Sequence, residues 1–219
     1  MKNKLNKLKY ALIAVAALIL AVFFTGCTTE IELELKKNGT IDVKFAGTSG
    51  KAFAALMNAG NGTGSAGGDT VLFNTKEIEY EISQNGFSSV KAVTKSGTDL
   101  TVTMTDKNGK SALFTSGVVT AQNGKLSACL TPQTLKKFYD SADSQTVMFL
   151  DMLLSPIFND EKMSQEEYLE ILESFYGQEI ADEIKDSSFR ITLKNADGTK
   201  SVQTINFIKL LTLDEVIRF

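Results

Sequence analysis

The chain has 219 residues, of which 43% are hydrophobic and 22% charged, a composition typical of a chain that folds into one globular domain or two. It contains no histidine, which excludes Ser-His-Asp triads, Cys-His dyads and zinc sites built on histidine. Its two cysteines, Cys27 and Cys129, are too few for a disulfide framework or a four-cysteine metal site. We therefore expect neither a metal nor a cofactor.

The N-terminus combines a basic segment with an apolar one. Four lysines and no acidic residue stand in residues 1–9, and residues 10–24 are apolar without interruption. This pattern is typical of a signal peptide. A transmembrane helix is the alternative, but fifteen residues at a rise of 1.5 Å span only about 22 Å of a ~30 Å hydrocarbon core.

A short motif ending in cysteine follows the apolar segment. Phe24-Thr25-Gly26-Cys27 resembles the lipobox of bacterial lipoproteins, with phenylalanine where the family usually has leucine. The resemblance implies a signal peptide over residues 1–26 and a diacylglyceryl group plus an amide-linked acyl chain, such as palmitate, on Cys27. Two or more chains anchor a protein stably, whereas one chain is marginal. Thr28 stands where an aspartate would retain a lipoprotein in the inner membrane, which implies the outer membrane and leaves its periplasmic or surface face open.

Cleavage at this motif would change the charge balance. The removed segment carries four of the lysines, so the remaining 193 residues have a net charge of −7 instead of −3. Affinity for nucleic acid depends on lysine and arginine contacts to phosphate. We therefore exclude nucleic acid as a partner and expect the membrane, together with a lipid ligand or another envelope protein.

Alternating apolar and polar residues begin directly after Cys27. Residues 30–36 and 41–45 alternate on either side of Asn38-Gly39, which predicts a hairpin with a type I′ turn. Thr48 or Ser49 then caps a predicted helix over 51–57, and the glycine-rich residues 60–68 predict a mobile loop. Further strands, expected to form successive antiparallel hairpins, are predicted over 77–82, 90–93, 99–105, 111–114, 118–119 and 125–130.

Helical signals dominate the next part of the chain. Thr131-Pro132 is a typical helix start and opens a predicted helical insertion over about 131–186. It includes a helix over about 144–154 and a helix that follows a capping box at Ser164 and Glu167. The second helix should have one apolar face, formed by Tyr168, Leu169, Ile171, Leu172, Phe175 and Tyr176. Residues 178–185 should add a last turn or two.

A final hairpin is predicted over 189–193 and 201–208, while residues 212–219 are compatible with a short helix or a strand. We therefore expect a single α+β domain over 27–219, with a mostly antiparallel sheet built from hairpins. Helices on one face of such a sheet would bury both apolar surfaces.

Several motifs have a structural and a functional interpretation. Residues 62–67 match G-x-G-x-x-G, but no strand precedes them and no helix start follows, so we interpret them as a loop. The acidic pairs Asp140/Asp143 and Asp160/Glu161 could serve hydrolysis or bind calcium, although such acids often stabilise a helix start. Cys129 has apolar neighbours and no available base, which predicts a buried thiol.

The apolar run at 147–154 is either a core helix or an element that faces lipid. Flexible, methionine-rich apolar surfaces suit pliable ligands such as acyl chains. We therefore predict a ligand-binding cleft between the helical insertion and the sheet. Its lining residues are predicted to be Phe138, Phe149, Met152 and Leu153.

Cys27, an amphipathic strand, Asn38-Gly39-Thr40 and a second strand together resemble the start of LppM-type bacterial lipoproteins. The resemblance covers about the first thirty residues after Cys27 and implies a non-catalytic envelope domain that contacts lipids or glycolipids. The expected function is thus a non-enzymatic, lipid-anchored envelope lipoprotein that binds a lipid or other apolar ligand at the membrane. The alternatives are a structural or assembly component that contacts another envelope protein, and a hydrolase that uses the acidic pairs.

Overall fold

The computed structural model describes residues 28–60, 72–84, 86–107, 109, 111–139, 163–213 and 215–219. The strands in these ranges are β1 (Thr28–Leu35), β2 (Ile41–Thr48), β3 (Phe87–Val93), β4 (Asp99–Asp106), β5 (Val119–Gln122), β6 (Lys125–Leu130), β7 (Ser188–Lys194), β8 (Lys200–Asn206) and β9 (Ile217–Arg218). The helices are α1 (Lys51–Gly60), α2 (Thr75–Gln84), α3 (Ala112–Thr115), α4 (Pro132–Tyr139), α5 (Gln165–Tyr176), α6 (Gln178–Asp186) and α7 (Phe207–Thr212). No helix in the described ranges is both long enough and apolar enough to cross a membrane.

The strands form two sheets. The larger has six strands in the order β3-β4-β2-β1-β7-β8, and the smaller has three in the order β5-β6-β9. Every pairing is antiparallel except β1 with β7, which is parallel. The predicted α+β fold with a mostly antiparallel sheet is therefore confirmed. The simple succession of hairpins is wrong, because β5 and β6 leave the main sheet and β7 joins it beside β1.

The hairpin of β1 and β2 confirms the alternation that follows Cys27. Ile31, Leu33 and Leu35 are buried on one face, whereas the glutamates between them lie on the other. The turn differs from the prediction, since only Gly39 has a positive φ, of 83°, and the backbone N–H of Thr40 is bound by Asn38 Oδ1 at 3.1 Å. Five residues thus connect the two strands, too many for a two-residue type I′ turn. A two-residue turn of this type instead joins β5 to β6, where the central residues Asn123 and Gly124 both have positive φ.

Helices complete a single hydrophobic core on one face of the six-stranded sheet. Leu33, Val102 and Leu193 come from three of its strands and are at most 1% exposed. Tyr168 and Leu172 of α5 belong to the same buried cluster. Burial raises the pKa of the Tyr168 hydroxyl above its ordinary value, because the charged phenolate is poorly solvated there.

The segment predicted as a strand over 77–82 forms helix α2 instead. Asn74 accepts the backbone N–H of Glu77 through Oδ1 at 3.4 Å and donates to the Glu77 carboxylate through Nδ2 at 3.2 Å. These bonds satisfy groups that a helix start leaves open. Ile78 and Ile82 lie four residues apart and therefore share the buried side of the helix, which alternation alone does not distinguish from a strand.

Three shorter predictions are also corrected. Residues 111–114 form no strand, because Asp106 accepts the backbone N–H of Ser111 at 3.0 Å and α3 begins at the next residue. The last long strand ends at Asn206, and residues 207–208 belong to α7. The chain then closes with β9, which pairs with β6 and decides between the two options left for residues 212–219.

The start of helix α1 is stabilised from a distance. Neither Thr48 nor Ser49 accepts a hydrogen bond from the first turn of α1. The Glu183 carboxylate instead accepts the backbone N–H groups of Ala52 at 2.8 Å and Phe53 at 3.1 Å. A carboxylate is favoured here because the free N–H groups carry positive partial charge. Gly50 makes room for it, since a Cβ on Gly50 would lie 2.1 Å from a Glu183 oxygen.

The helical signals around 131–186 are confirmed where the structure describes them. Thr131 Oγ1 accepts the backbone N–H of Thr134 at 3.0 Å, and the capping box of Ser164 and Glu167 starts α5. Residues 178–186 form a full helix, longer than predicted. Helices are not confined to this insertion, however, because α1 and α2 lie between β2 and β3. The predicted helix at 144–154 and the glycine-rich residues 61–68 lie outside the described residues.

Candidate functional site

The predicted site residues lie largely outside the described part of the chain. Cys27, Phe149, Met152 and Leu153 are outside it, as are both acidic pairs at 140–143 and 160–161. Phe138 belongs to α4, of which the backbone position is described. The described residues therefore do not bring the predicted apolar cleft together, and it stays a prediction.

The N-terminal end of β1 is described from the residue that follows Cys27. Strand β1 begins at Thr28, which pairs with Ser188 of β7, and Thr29 is only 3% exposed. Because β1 lies between β2 and β7, its backbone is held on both sides. The residue that follows Cys27 in the sequence is thus already part of the sheet.

The other face of the six-stranded sheet is polar. Its exposed or half-buried side chains form three rows that follow the strand register from β3 to β8. The first row is Val93, Thr101, Ala46, Glu30, Arg190 and Thr204. The second is Lys91, Thr103, Lys44, Glu32, Thr192 and Val202. The third is Ser88, Thr105, Asp42, Glu34, Lys194 and Lys200. We call these three rows the open face.

Ion pairs cross the open face between neighbouring strands. Lys194 Nζ lies 2.6 Å from Glu32 Oε1, and Arg190 reaches Glu30 at 3.5 Å. The hydrogen bond from Lys194 to Glu32 raises the pKa of the Lys194 ammonium. These groups are 35–55% exposed, so water and salt screen them and each pair contributes little to stability. Both pairs join β1 to β7.

An open depression of about 280 Å³ lies on the open face where β1, β2 and β4 meet. Its polar lining consists of Glu32, Glu34, Asp42, Lys44, Ser89, Thr103 and Thr105. Asp42 already accepts the Thr105 hydroxyl at 2.8 Å, and Lys36 pairs with both Asp42 and Glu34. Within the residues that the structure describes, no three metal-ligating side chains come together. This lining can exchange hydrogen bonds with a polar partner.

Helix α5 carries the most exposed apolar surface of the described insertion. Phe175 is 76% exposed and Ile171 is 37% exposed, four residues apart on one side of the helix. The prediction of a single apolar face is therefore wrong in part, because Tyr168 and Leu172 face the core while Ile171 and Phe175 face outward. The four glutamates of α5 are exposed, as predicted for a solvated face.

Cys129 is half-exposed, which corrects the expectation of a buried thiol. It lies on β6 between Ala128 and Leu130, which are buried. Because side chains alternate along a strand, a residue between two buried ones points to the other face. Apolar sequence neighbours were thus a misleading signal.

The two ends of β4 carry carboxylates that the sequence analysis did not single out. Asp99 accepts the backbone N–H of Ser96 at 2.6 Å and that of Lys95 at 2.9 Å, and the Ser96 hydroxyl also donates to it. These bonds lower the pKa of Asp99 to about 2. Asp106 is fully buried and accepts the N–H of Gly109 at 2.7 Å. Both carboxylates organise turns, and the only sequence signal was a nearby glycine.

Comparison of the chain with family models, with curated proteins and with solved structures finds no match.

Proposed function

We propose that the chain is a non-enzymatic, lipid-anchored lipoprotein of the bacterial envelope, in which acyl chains on Cys27 hold the α+β domain against a membrane. One observation carries the proposal: the first strand begins at Thr28 and is central in the sheet. A modified Cys27 would therefore be joined to the folded domain without a flexible linker. The lipid would then fix not only the location of the domain but also the end of the sheet that meets the bilayer.

Acylation of Cys27 can be tested in cells that express the full chain and are fed radiolabelled palmitate. We expect label on the natural chain and none on Cys27→Ala. Cys129→Ala is the matched control, because it removes the other cysteine of the chain and should keep the label. Equal labelling of the natural chain and Cys27→Ala would contradict the proposal.

The membrane is a separate part of the proposal. Thr28 in place of aspartate favours sorting to the outer membrane, so fractionation should find the natural chain there. Thr28→Asp should shift it to the inner membrane, because an aspartate directly after the modified cysteine is the retention signal that the lipobox resemblance implies. Identical fractionation of both chains would contradict this assignment.

We further propose that the domain binds a lipid or another apolar ligand at the membrane, in a cleft that includes Phe138, Phe149, Met152 and Leu153. The described support is the outward pair Ile171 and Phe175, because large apolar side chains exposed together often mark interaction surfaces. The glutamates on the same helix would keep such a surface soluble when it is empty.

Lipid contact can be tested with a photoactivatable phosphatidylethanolamine in membranes that contain the full chain. Phe175→Ser should reduce crosslinking severalfold if Phe175 borders the ligand. Tyr80→Ser is the matched control, since Tyr80 is also an exposed aromatic residue, 63% exposed, on a different helix. Equal crosslinking of the natural chain and both variants would remove the support that Phe175 provides.

A structural or assembly role is the second candidate, and the open face favours it. Its charged and hydroxyl groups could exchange hydrogen bonds with a polar partner surface, whereas they do not suit an apolar ligand. Crosslinking in membranes should then capture one dominant protein partner, and charge reversal at Lys44 should weaken that product. Capture of lipid alone would favour the first candidate.

A further inference from the structure

The two edges of the six-stranded sheet differ in how they are protected. Edge strand β3 has a register shift between Ser88 and Lys91, and Ser89 has a positive φ of 55°. Glu79 of α2 accepts the backbone N–H of Ala92 at 2.8 Å. A bulge and a covering side chain are established ways to stop an edge from pairing with another chain. The β3 edge is therefore blocked.

The opposite edge strand, β8, keeps a regular register with β7 over its whole length. The N–H of Phe207 binds the carbonyl of Ser187 at 2.9 Å, and the N–H of Asn195 binds that of Thr199 at 2.8 Å. In an antiparallel pair, alternate residues exchange these bonds. Residues 199, 201, 203, 205 and 207 are thus bonded to β7.

The remaining backbone groups of β8 point away from the sheet. They belong to Lys200, Val202, Thr204 and Asn206, all of which are exposed. In the described part of the chain, these residues make no backbone hydrogen bond on that side. Such a row is a template onto which an extended segment can add as a further strand.

The charge of Lys200 indicates what kind of extended segment would bind the β8 edge. Lys200 lies directly opposite Lys194 in the register, and Lys194 is already paired with Glu32. Lys200 has no acidic partner among the described residues, and like charges on paired strands are unfavourable. An acidic side chain on an added strand next to Lys200 would relieve this repulsion. A second copy of β8 would not supply one, because β8 contains no acidic residue.

We propose that the β8 edge binds an extended segment of a partner protein by strand addition, with an acidic residue beside Lys200 and a β-branched or apolar residue beside Val202. Val202 is 42% exposed and follows Lys200 on the same face. The proposal goes beyond the lipid-anchored function and does not depend on acylation of Cys27, so the labelling experiment and the experiment below can fail separately.

The test uses the full chain in detergent micelles and two capped, seven-residue peptides of alternating Thr and Val, each ending in one charged residue. One peptide carries Glu at that position and the other carries Lys. We expect amide protection at Lys200, Val202, Thr204 and Asn206, with the Glu peptide binding about fivefold more tightly, the size of a cross-strand charge pair. Equal binding of the two peptides, or protection at the β3 edge, would overturn the proposal.

Two variants make the test independent of any one substitution. Val202→Pro removes an outward N–H and should reduce binding by at least about tenfold, while the β7 side of the strand keeps its bonds. Lys200→Glu should reverse the preference toward the Lys peptide. Gln203→Ala is the control, because its backbone faces β7, and it should bind as the natural chain does. Dimerisation through β8 without peptide would instead identify a second copy as the occupant and contradict the proposal.

Discussion

Strand β1 and helix α2 carry nearly the same pattern and fold differently. Residues 30–35 read Glu-Ile-Glu-Leu-Glu-Leu and residues 77–82 read Glu-Ile-Glu-Tyr-Glu-Ile. In β1 all three apolar side chains are buried, whereas in α2 Ile82 is fully buried and Tyr80 is 63% exposed. Six alternating residues therefore do not decide between a strand and a helix when two of the apolar residues stand four positions apart.

The surroundings of the two segments explain the difference. A hairpin turn at Gly39 directs β1 into pairing with β2, and β7 pairs with its other side. The α2 segment follows Asn74, whose side chain caps the helix start. It precedes edge strand β3, which pairs with β4. We therefore expect the local cap to favour the helix over the strand that alternation suggests.

The largest effects should come from the buried apolar residues of both segments. Leu33→Ala and Ile82→Ala should each reduce the free energy of unfolding by about 2–5 kcal/mol, since both side chains are at most 1% exposed and would leave cavities. Tyr80→Ala should change it by less than about 0.5 kcal/mol. Chemical denaturation measures all three. A large loss in Tyr80→Ala would mean that residues 77–82 form a strand, which would remove the contrast with β1.

The cap of α2 should have the next largest effect. Asn74→Ala should reduce the free energy of unfolding by about 1 kcal/mol, because two hydrogen bonds at the helix start are lost. Asn74→Ser, which can still accept a bond, should recover most of this loss. Urea denaturation followed by circular dichroism measures both. An unchanged midpoint for Asn74→Ala would show that packing, and not the cap, selects the helix.

A smaller effect is expected at the bond between α2 and β3. Glu79→Ala should reduce the free energy of unfolding by about 0.5–1.5 kcal/mol and should speed hydrogen exchange at Ala92, whose N–H loses its acceptor. Glu77→Ala is the comparison, because the Glu77 carboxylate accepts a hydrogen bond from Asn74 and, among the described residues, makes none to β3. Unchanged exchange at Ala92 in Glu79→Ala would contradict the protected β3 edge.

The smallest effect should be a pH dependence of the ion pair between β1 and β7. The pKa of Lys194 is raised above its ordinary value of 10.5 by the hydrogen bond to Glu32. The pair therefore stabilises the fold fully below pH 10.5, and this contribution is lost as the pH rises through the raised pKa. We expect the urea midpoint of the natural chain to fall more above pH 10.5 than that of Lys194→Met. Parallel curves for the two chains would show that the pair contributes nothing.

The candidate site was less accessible to sequence reasoning than the fold. The open face follows directly from the alternation of β1, β2 and β4, because threonine and charged residues occupy every second position there, Ala46 excepted. The alternation does not show which strands lie side by side, because β1 pairs with β7, about 160 positions further along the chain. The depression at Thr103 and Thr105 depends on that strand order, and so does the β8 edge, on which no described strand lies.

What the sequence by itself determined is local. The alternation after Cys27 depends on neighbouring residues alone. Nearby backbone groups are likewise the ones affected by the turn glycines, by the Thr131-Pro132 helix start and by the capping box of Ser164 and Glu167. A window of a few residues therefore contains their cause. These signals were sufficient for the α+β class and for the ends of several elements.

What only the tertiary structure decided is the set of contacts between distant segments. The cap of α1 comes from Glu183, more than a hundred residues away, and requires Gly50 at the point of contact. The outward position of Phe175 and the half-exposure of Cys129 likewise depend on which neighbours cover each face. Burial and long-range capping depend on packing in three dimensions, and no local pattern carries that information.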